Sequence, residues 1–152
     1  MSEERAKLIH MLRIAHAIEV GAYHAYEGHW RTIKPTSNPR RLDIRIIQME
    51  ELGHRASLLA MLRLLNARQS FFLDFAMWMV GCGVTYACYV SPKFATDWGA
   101  KIMETFAVAQ YDTLAALANR NGLFEMARIL SAMEVAEKRH EEFFSRNSAR
   151  RR

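Results

Sequence analysis

The chain has 152 residues, of which 51% are hydrophobic and 24% charged, values that fit one globular domain and exclude a disordered chain. With only 7 glycines and 3 prolines it is short of the turn residues that an all-β sandwich needs, so the expected class is all-α. The net charge is +5, but Arg146, Arg150, Arg151 and Arg152 supply four of those charges, leaving a body near ~+1 that offers little to nucleic acid.

The first predicted helix, α1, covers about residues 3–32. It follows an acidic start, Met1-Ser2-Glu3-Glu4, that does not resemble a cleavable leader. Pro35-Thr36-Ser37-Asn38-Pro39 reads as a loop, with Asn38 as an N-cap and Pro39 as the first residue of α2 (about 39–66). Asn66 to Ser70 is a polar break. The next helix, α3 (about 71–90), carries a single charge, Asp74. Ser91-Pro92 repeats the cap-plus-proline signal ahead of α4 (about 93–119), for which Asp97 is a second candidate cap. Asn119-Arg120-Asn121-Gly122 is a tight turn into α5 (about 123–146), because Asn and Gly accept the left-handed conformation that ends a helix. Residues 1–146 thus form one bundle, and 147–152 are expected to be a basic disordered tail. Cys82 and Cys88 point to different faces of one helix, so no disulfide is expected. The usage is that of a reducing, cytoplasmic compartment, and no C-x2-C pair is present for a rubredoxin-type iron site.

Four helices show a core-facing stripe in alternating steps of three and four. In α1 it runs Leu8, Leu12, Ala15, Glu19, Ala22, Tyr26; in α2, Ile44, Ile47, Glu51, His54, Leu58, Met61, Leu65. In α4 it runs Ala100, Glu104, Ala107, Tyr111, Leu114, Ala118; in α5, Met126, Leu130, Met133, Glu137, His140, Phe144. Each stripe is apolar except near its middle, where a Glu or a Glu-x-x-His interrupts it. About 0.5 Glu-x-x-His pairs are expected by chance at this composition, so one match would mean little. Two matches, both on core stripes and each preceded by a lone stripe Glu, need a cause.

A carboxylate facing a core is costly unless it is paired or bound to metal, and four facing one another repel strongly. A pair of divalent cations removes that penalty. One Glu from each of two helices plus Glu-x-x-His from each of the other two is the ligand set of carboxylate-bridged di-iron and di-manganese bundles. The expected ligands are Glu19, Glu51, His54, Glu104, Glu137 and His140, with Glu51 and Glu137 bridging two iron or manganese ions. The midpoint of Glu19 and Glu51 is residue 35, in the proline loop. The midpoint of Glu104 and Glu137 falls in the Asn-Arg-Asn-Gly turn. Each hairpin therefore brings its two carboxylates level, about 24 Å from its turn at ~1.5 Å per residue. This is an internal repeat of the ferritin-like kind: a four-helix bundle with a hydrophobic crossover helix, 71–90, between two helical hairpins.

The pattern resembles more narrowly the demethoxyubiquinone hydroxylases of ubiquinone biosynthesis, a ferritin-like di-iron family. Their first helix reads R-x-D-H-A-G-E-x-G-A-x-x-x-Y-x-G, and Arg13, His16, Ala17, Glu19, Gly21, Ala22, Tyr26 and Gly28 stand at the matching places. Tyr111 follows Glu104 by seven residues as the family's tyrosine does, and Trp78, Gly81 and Gly83 match its apolar central segment in kind. Ala15 stands where the family has Asp, Thr105 replaces the second Glu of a pair, and Gln110 replaces a His. The resemblance implies a di-iron monooxygenase that hydroxylates a quinone or phenol ring with dioxygen, using an external electron donor. It implies a catalytic role for Tyr111, and orienting roles behind the ligands for His16 and Tyr26.

The same six ligands also serve a peroxidase, a ferroxidase or a manganese catalase. The expected partners are a small apolar aromatic or quinone substrate, dioxygen, the electron donor, a membrane surface met peripherally and a second copy in a homodimer, but no nucleic acid. Helix α3 reads as a buried crossover, an interfacial or substrate-entry helix, or a membrane span. A hydroxylase further predicts an apolar pocket bounded by α3 and by α1 or α4, opening toward Glu19 or Glu104. His10, His24 and His29 are expected at the surface or its boundary, and Glu50, Glu134 and Glu141 as helix-surface charges.

Overall fold

Residues 2–33, 39–91 and 99–149 are described by the computed structural model. They form five α-helices and, among these residues, no strand: α1 Glu3–Thr32, α2 Pro39–Leu64, α3 Phe71–Val90, α4 Ala100–Arg120 and α5 Phe124–Ala149. Ser2 and Ser70 cap α1 and α3, their hydroxyls accepting the amides of Arg5 and Leu73 at 3.3 and 3.4 Å. Pro39 opens α2 as expected. That helix stops short of 66 because Asn66 turns left-handed, at φ 55°, while the Ala67 amide closes back on the Leu62 carbonyl at 2.8 Å. The same closure ends α4: Gly122 takes φ 71° and the Leu123 amide reaches the Ala118 carbonyl at 2.9 Å.

Several expected boundaries differ or lie outside the described residues. Ser91 closes α3, its amide bonding to the Ala87 carbonyl at 2.8 Å. Asn38, Asp97 and the expected start of α4 at 93 fall outside the described residues. Helix α5 runs on to Ala149, so residues 147–149 are helical and do not belong to a disordered tail.

Cross-contacts set the directions. Glu4 pairs with Arg120 at 3.2 Å and Tyr26 with Glu104, so α1 and α4 run antiparallel. His140 meets Glu50 and His54 meets Glu137, so α2 and α5 also run antiparallel. Helix α3 runs parallel to α1: Asp74 meets His16 at 2.9 Å, and further along Thr85 donates to the His24 carbonyl at 2.6 Å. The chain thus goes up, down, back up along α3, then down and up again, and α3 is the long connection that lets α2 and α4 point the same way.

Two apolar clusters occupy the bundle. The larger one gathers Leu8, Leu12, Leu58, Leu62, Leu114 and Leu130 at the end where α2 finishes. The smaller holds Tyr26, Ile44, Ile47, Ala100 and Phe144 at the other end. Each fully buried leucine contributes about 1.5–3 kcal/mol, which offsets the cost of what lies between the clusters. The interrupting residues of all four stripes lie there.

Helix α3 differs from the other four. Only Gly81 and Cys88 of its residues are buried, so it is not a buried crossover. Its inner face lies against α1 at backbone contact, because a Cβ on Gly81 would collide with the Gly21 carbonyl and one on Gly28 would sit 2.5 Å from the Thr85 Cα. Its outer face presents Phe72 and Tyr86 at 84% and 71% exposure, with Phe71, Phe75, Met79 and Tyr89 beside them. By length and composition α3 is also apolar enough to cross a membrane. Cys82 and Cys88 are both free.

Candidate metal centre

All six residues singled out on the stripes are buried, and they meet between the two apolar clusters. They form two overlapping groups, each with donor atoms within 4.8 Å of one another. Glu19, Glu51, His54 and Glu137 make one, and Glu51, Glu104, Glu137 and His140 the other. Glu51 and Glu137, one from each Glu-x-x-His, belong to both. The i, i+3 spacing puts the carboxylate and the imidazole of each pair on one helix face, and the level hairpins bring the two pairs together.

The histidines turn Nδ1 inward. His54 Nδ1 lies 2.8 Å from Glu137 Oε1 and 3.6 Å from Glu51 Oε2. His140 Nδ1 lies 3.2 Å from Glu51, 3.4 Å from Glu137 and 3.7 Å from Glu104. These are ion-pair distances, yet both Nδ1 atoms, Glu51 Oε1 and Glu137 Oε1 have no hydrogen bond of acceptable geometry. Buried polar atoms left this way are costly. Four of them converging from the two Glu-x-x-His pairs fit a cation as the missing partner, since carboxylate and imidazole are the donors that divalent transition metals take.

Burial and mutual contact shift the titration of all six residues. Burial, and next the charge of Glu51, raise the Glu19 carboxyl well above the usual carboxylate range. Burial raises Glu104 likewise, against the pull of His140. Burial would raise Glu51 and Glu137 too, but both are depressed instead, Glu51 by the nearby Glu19, His140 and His54 and Glu137 by the nearby His140, His54 and Glu104. For His54, burial works against the charge, but the neighbouring carboxylates of Glu137 and Glu51 lift it to about 9. His140 moves in the same direction, through Glu104, Glu137 and Glu51.

Two tyrosines brace the outer acids crosswise. Tyr111, on α4, donates to Glu19 on α1, and Tyr26, on α1, donates to Glu104 on α4. Each stands seven residues after the glutamate of its own helix and serves the opposite one. Burial, and then the Glu19 charge, keep the Tyr111 phenol protonated. The orienting role expected of Tyr26 therefore has its hydrogen bond.

His16 departs from expectation. It is buried, but its Nδ1 partner is Asp74 on α3 at 2.9 Å and no ligand carboxylate. The one charge of the apolar helix thus belongs to a pair that ties α3 to α1. His29 is buried as well, and not at the surface or its boundary as expected, because its ring sits edge-on to Tyr26 and Phe144. Glu50 was expected as a surface charge; its carboxylate accepts from His140 Nε2 at 2.6 Å. A metal-bound histidine usually offers its outer nitrogen to an acceptor, and that rule was the signal that could have found Glu50. Glu134 and Glu141 are half-buried, pairing with Lys138 and with Thr105.

No protein-family model and no curated protein matches the sequence, so residue pattern and geometry together carry the functional reading.

A cavity of about 380 Å³ opens between α1, α3 and α4. Its walls are Ile18, Ala22, Ala25, Met77, Val80, Val84, Ala100, Met103 and Ala107, and its floor is the carboxylates of Glu19, Glu51, Glu104 and Glu137. The pocket expected beside α3 is present, bounded by both candidate helices and reaching both outer glutamates. Its size suits one ring with a short substituent.

Proposed function

We propose that this chain is a ferritin-like dinuclear metal enzyme, a di-iron monooxygenase resembling the demethoxyubiquinone hydroxylases, which hydroxylates an apolar aromatic ring of the quinone or phenol type. The observation that carries the reading is the apolar cavity ending on four carboxylates of the six-residue cluster. A storage or peroxide-consuming centre needs a channel only as wide as its small oxidant, whereas this one has room for a ring.

Two divalent cations would balance four ionised carboxylates with both histidines neutral, which one cation would not do. Glu51 and Glu137 would bridge them, Glu19 and His54 would complete one position, and Glu104 and His140 the other. When bound, the metal pair supplies the activation of dioxygen. The protein's own residues do the rest. Met77, Val80 and Val84 of α3 keep the ring in an apolar environment and exclude water. Tyr26 and Tyr111 hold Glu104 and Glu19 in place. Tyr111 is also the residue best placed to move a proton or electron beside Glu19. The exposed aromatic face of α3 adjoins the cavity wall, a layout suited to taking an apolar substrate from a membrane surface. Reducing electrons come from a separate donor.

The test is oxygen consumption by iron-loaded protein with a short-chain quinone and a chemical reductant, with isotopically labelled dioxygen. Quinone-dependent uptake with one labelled oxygen in the ring is expected. Turnover of hydrogen peroxide with no effect of quinone would replace this reading with a peroxidase one.

A further inference from the structure

The two halves of the cluster match in their inner residues but not in what stands behind the histidines. Behind His140, Glu50 takes the outer nitrogen at 2.6 Å, and Arg139 holds the other oxygen of Glu50 at 3.5 Å. Among the described residues His54 has no counterpart behind it. The position before Glu137 that corresponds to Glu50 is Ala136, and among the described residues no carboxylate reaches His54 Nε2. The imidazoles differ in cover too, the His54 side chain being 11% exposed and that of His140 3%. The remaining supports are matched: each outer glutamate has its tyrosine, and both inner glutamates are common to the two positions.

Resting on the dinuclear reading above, we propose that the two metal positions are unequal, and that the one built from Glu104 and His140 with the shared Glu51 and Glu137 fills first because Glu50 fixes the His140 ring. An acceptor on the outer nitrogen sets which ring nitrogen carries the lone pair and which way it points, so that a cation meets an oriented donor. Loss of such a partner typically lowers metal affinity by about 10–100-fold. Among the described residues the His54 ring has its inner contacts, an edge contact with Tyr111 and a stack against the His140 ring, but no acceptor on its outer nitrogen. Glu50 is a positioning residue in this account, acting through His140 and touching no cation.

Stepwise binding alone would not decide the matter, because shared carboxylates make a second cation weaker even in a symmetric site. The order of the histidines does. Metal-free full-length protein labelled with nitrogen-15 in its histidine rings is titrated with Zn(II) and followed by NMR, each ring assigned by its His→Gln variant. The His140 ring is expected to shift over the first equivalent and the His54 ring over the second. In Glu50→Ala, a change at a half-exposed position that removes the acceptor and spares the core, first-step affinity should fall 10–100-fold and the two rings should shift together. His54→Gln should keep the first step, and His140→Gln should lose it. Parallel shifts in the unsubstituted protein, His54 shifting first, or an unchanged order in Glu50→Ala would overturn the inference while leaving a dinuclear centre standing. Failure of either ring to respond at saturating Zn(II) would overturn the metal-centre reading itself, and this inference with it.

Discussion

The two hairpins, α1–α2 and α4–α5, are built to one plan and finished differently. Both place a lone Glu on the first helix, a Glu-x-x-His on the second and a Tyr seven residues after the lone Glu. Both turn with those acids level, so that the tyrosine of each braces the glutamate of the other. The differences lie outside the cluster. Helix α3 lies along α1, giving one hairpin a partner at backbone distance and a cavity wall. Glu50 backs the histidine of α5, while Ala136 leaves that of α2 without an equivalent. A repeat can thus preserve its chemistry where the halves meet, and diverge where each half meets something else.

The largest effect should come from the residues that the halves share. Glu51→Ala and Glu137→Ala should each reduce bound metal from about two ions per chain to near zero, with helicity kept. Glu19→Ala and Glu104→Ala should each cost about one ion, because each serves one position. Elemental analysis and far-UV circular dichroism check both statements; full loading of the Glu51 variant would mean that the halves do not share a centre. Metal at about 100 times its Kd should add about 2.7 kcal/mol to the stability of the unsubstituted protein and nothing to that of the Glu51 variant.

The crossed tyrosines are the closest match between the halves. Tyr26→Phe and Tyr111→Phe should each lower stability by about 1–3 kcal/mol, since each leaves a buried acid without its donor. Urea unfolding of both variants should give similar losses, and a loss confined to one would show that the brace is not symmetric.

Helix α3 offers an internal contrast. Gly81→Ala drives a methyl group into the α1 backbone and should cost about 1–3 kcal/mol. Gly83→Ala, two residues on and facing open space, should stabilise by about 0.4–1 kcal/mol through the unfolded chain. Opposite signs in thermal melts are expected; equal effects would mean that α3 is not seated on α1 through Gly81.

A pH dependence of the metal-free protein tests the partly exposed histidine of the α1–α2 hairpin. His54 sits near 9 in the fold, above its ordinary 6.5, so its contribution is complete below about pH 6.5 and is lost as pH rises through 9. The Tm of chelator-treated protein should fall over that window, by about 2–4 °C for each kcal/mol lost. Metal affinity should rise over the same window, because binding displaces the proton from His54. A flat melting profile from pH 6.5 to 9 would place His54 outside the cluster.

Much of this molecule is local in origin and was therefore legible in the sequence. Stripes repeating every three or four residues mark the core faces of α1, α2, α4 and α5. The Asn and Gly turns mark two of the helix ends, and the interruption of each stripe marks six residues that meet in the core. Equal distances from each turn were enough to bring the carboxylates level. The tertiary structure decided what depends on how helices rotate and stagger against one another. It assigned Tyr26 to Glu104 and Tyr111 to Glu19, gave His16 to Asp74 of α3, and buried His29 beneath Tyr26 and Phe144. It also turned the apolar face of α3 outward, where composition alone fits a buried helix equally well. Glu50 marks the limit most clearly: a residue off its stripe reads as solvated until a second helix brings His140 Nε2 to within 2.6 Å of it. Periodicity reports which face of a helix is covered, and only packing reports what covers it.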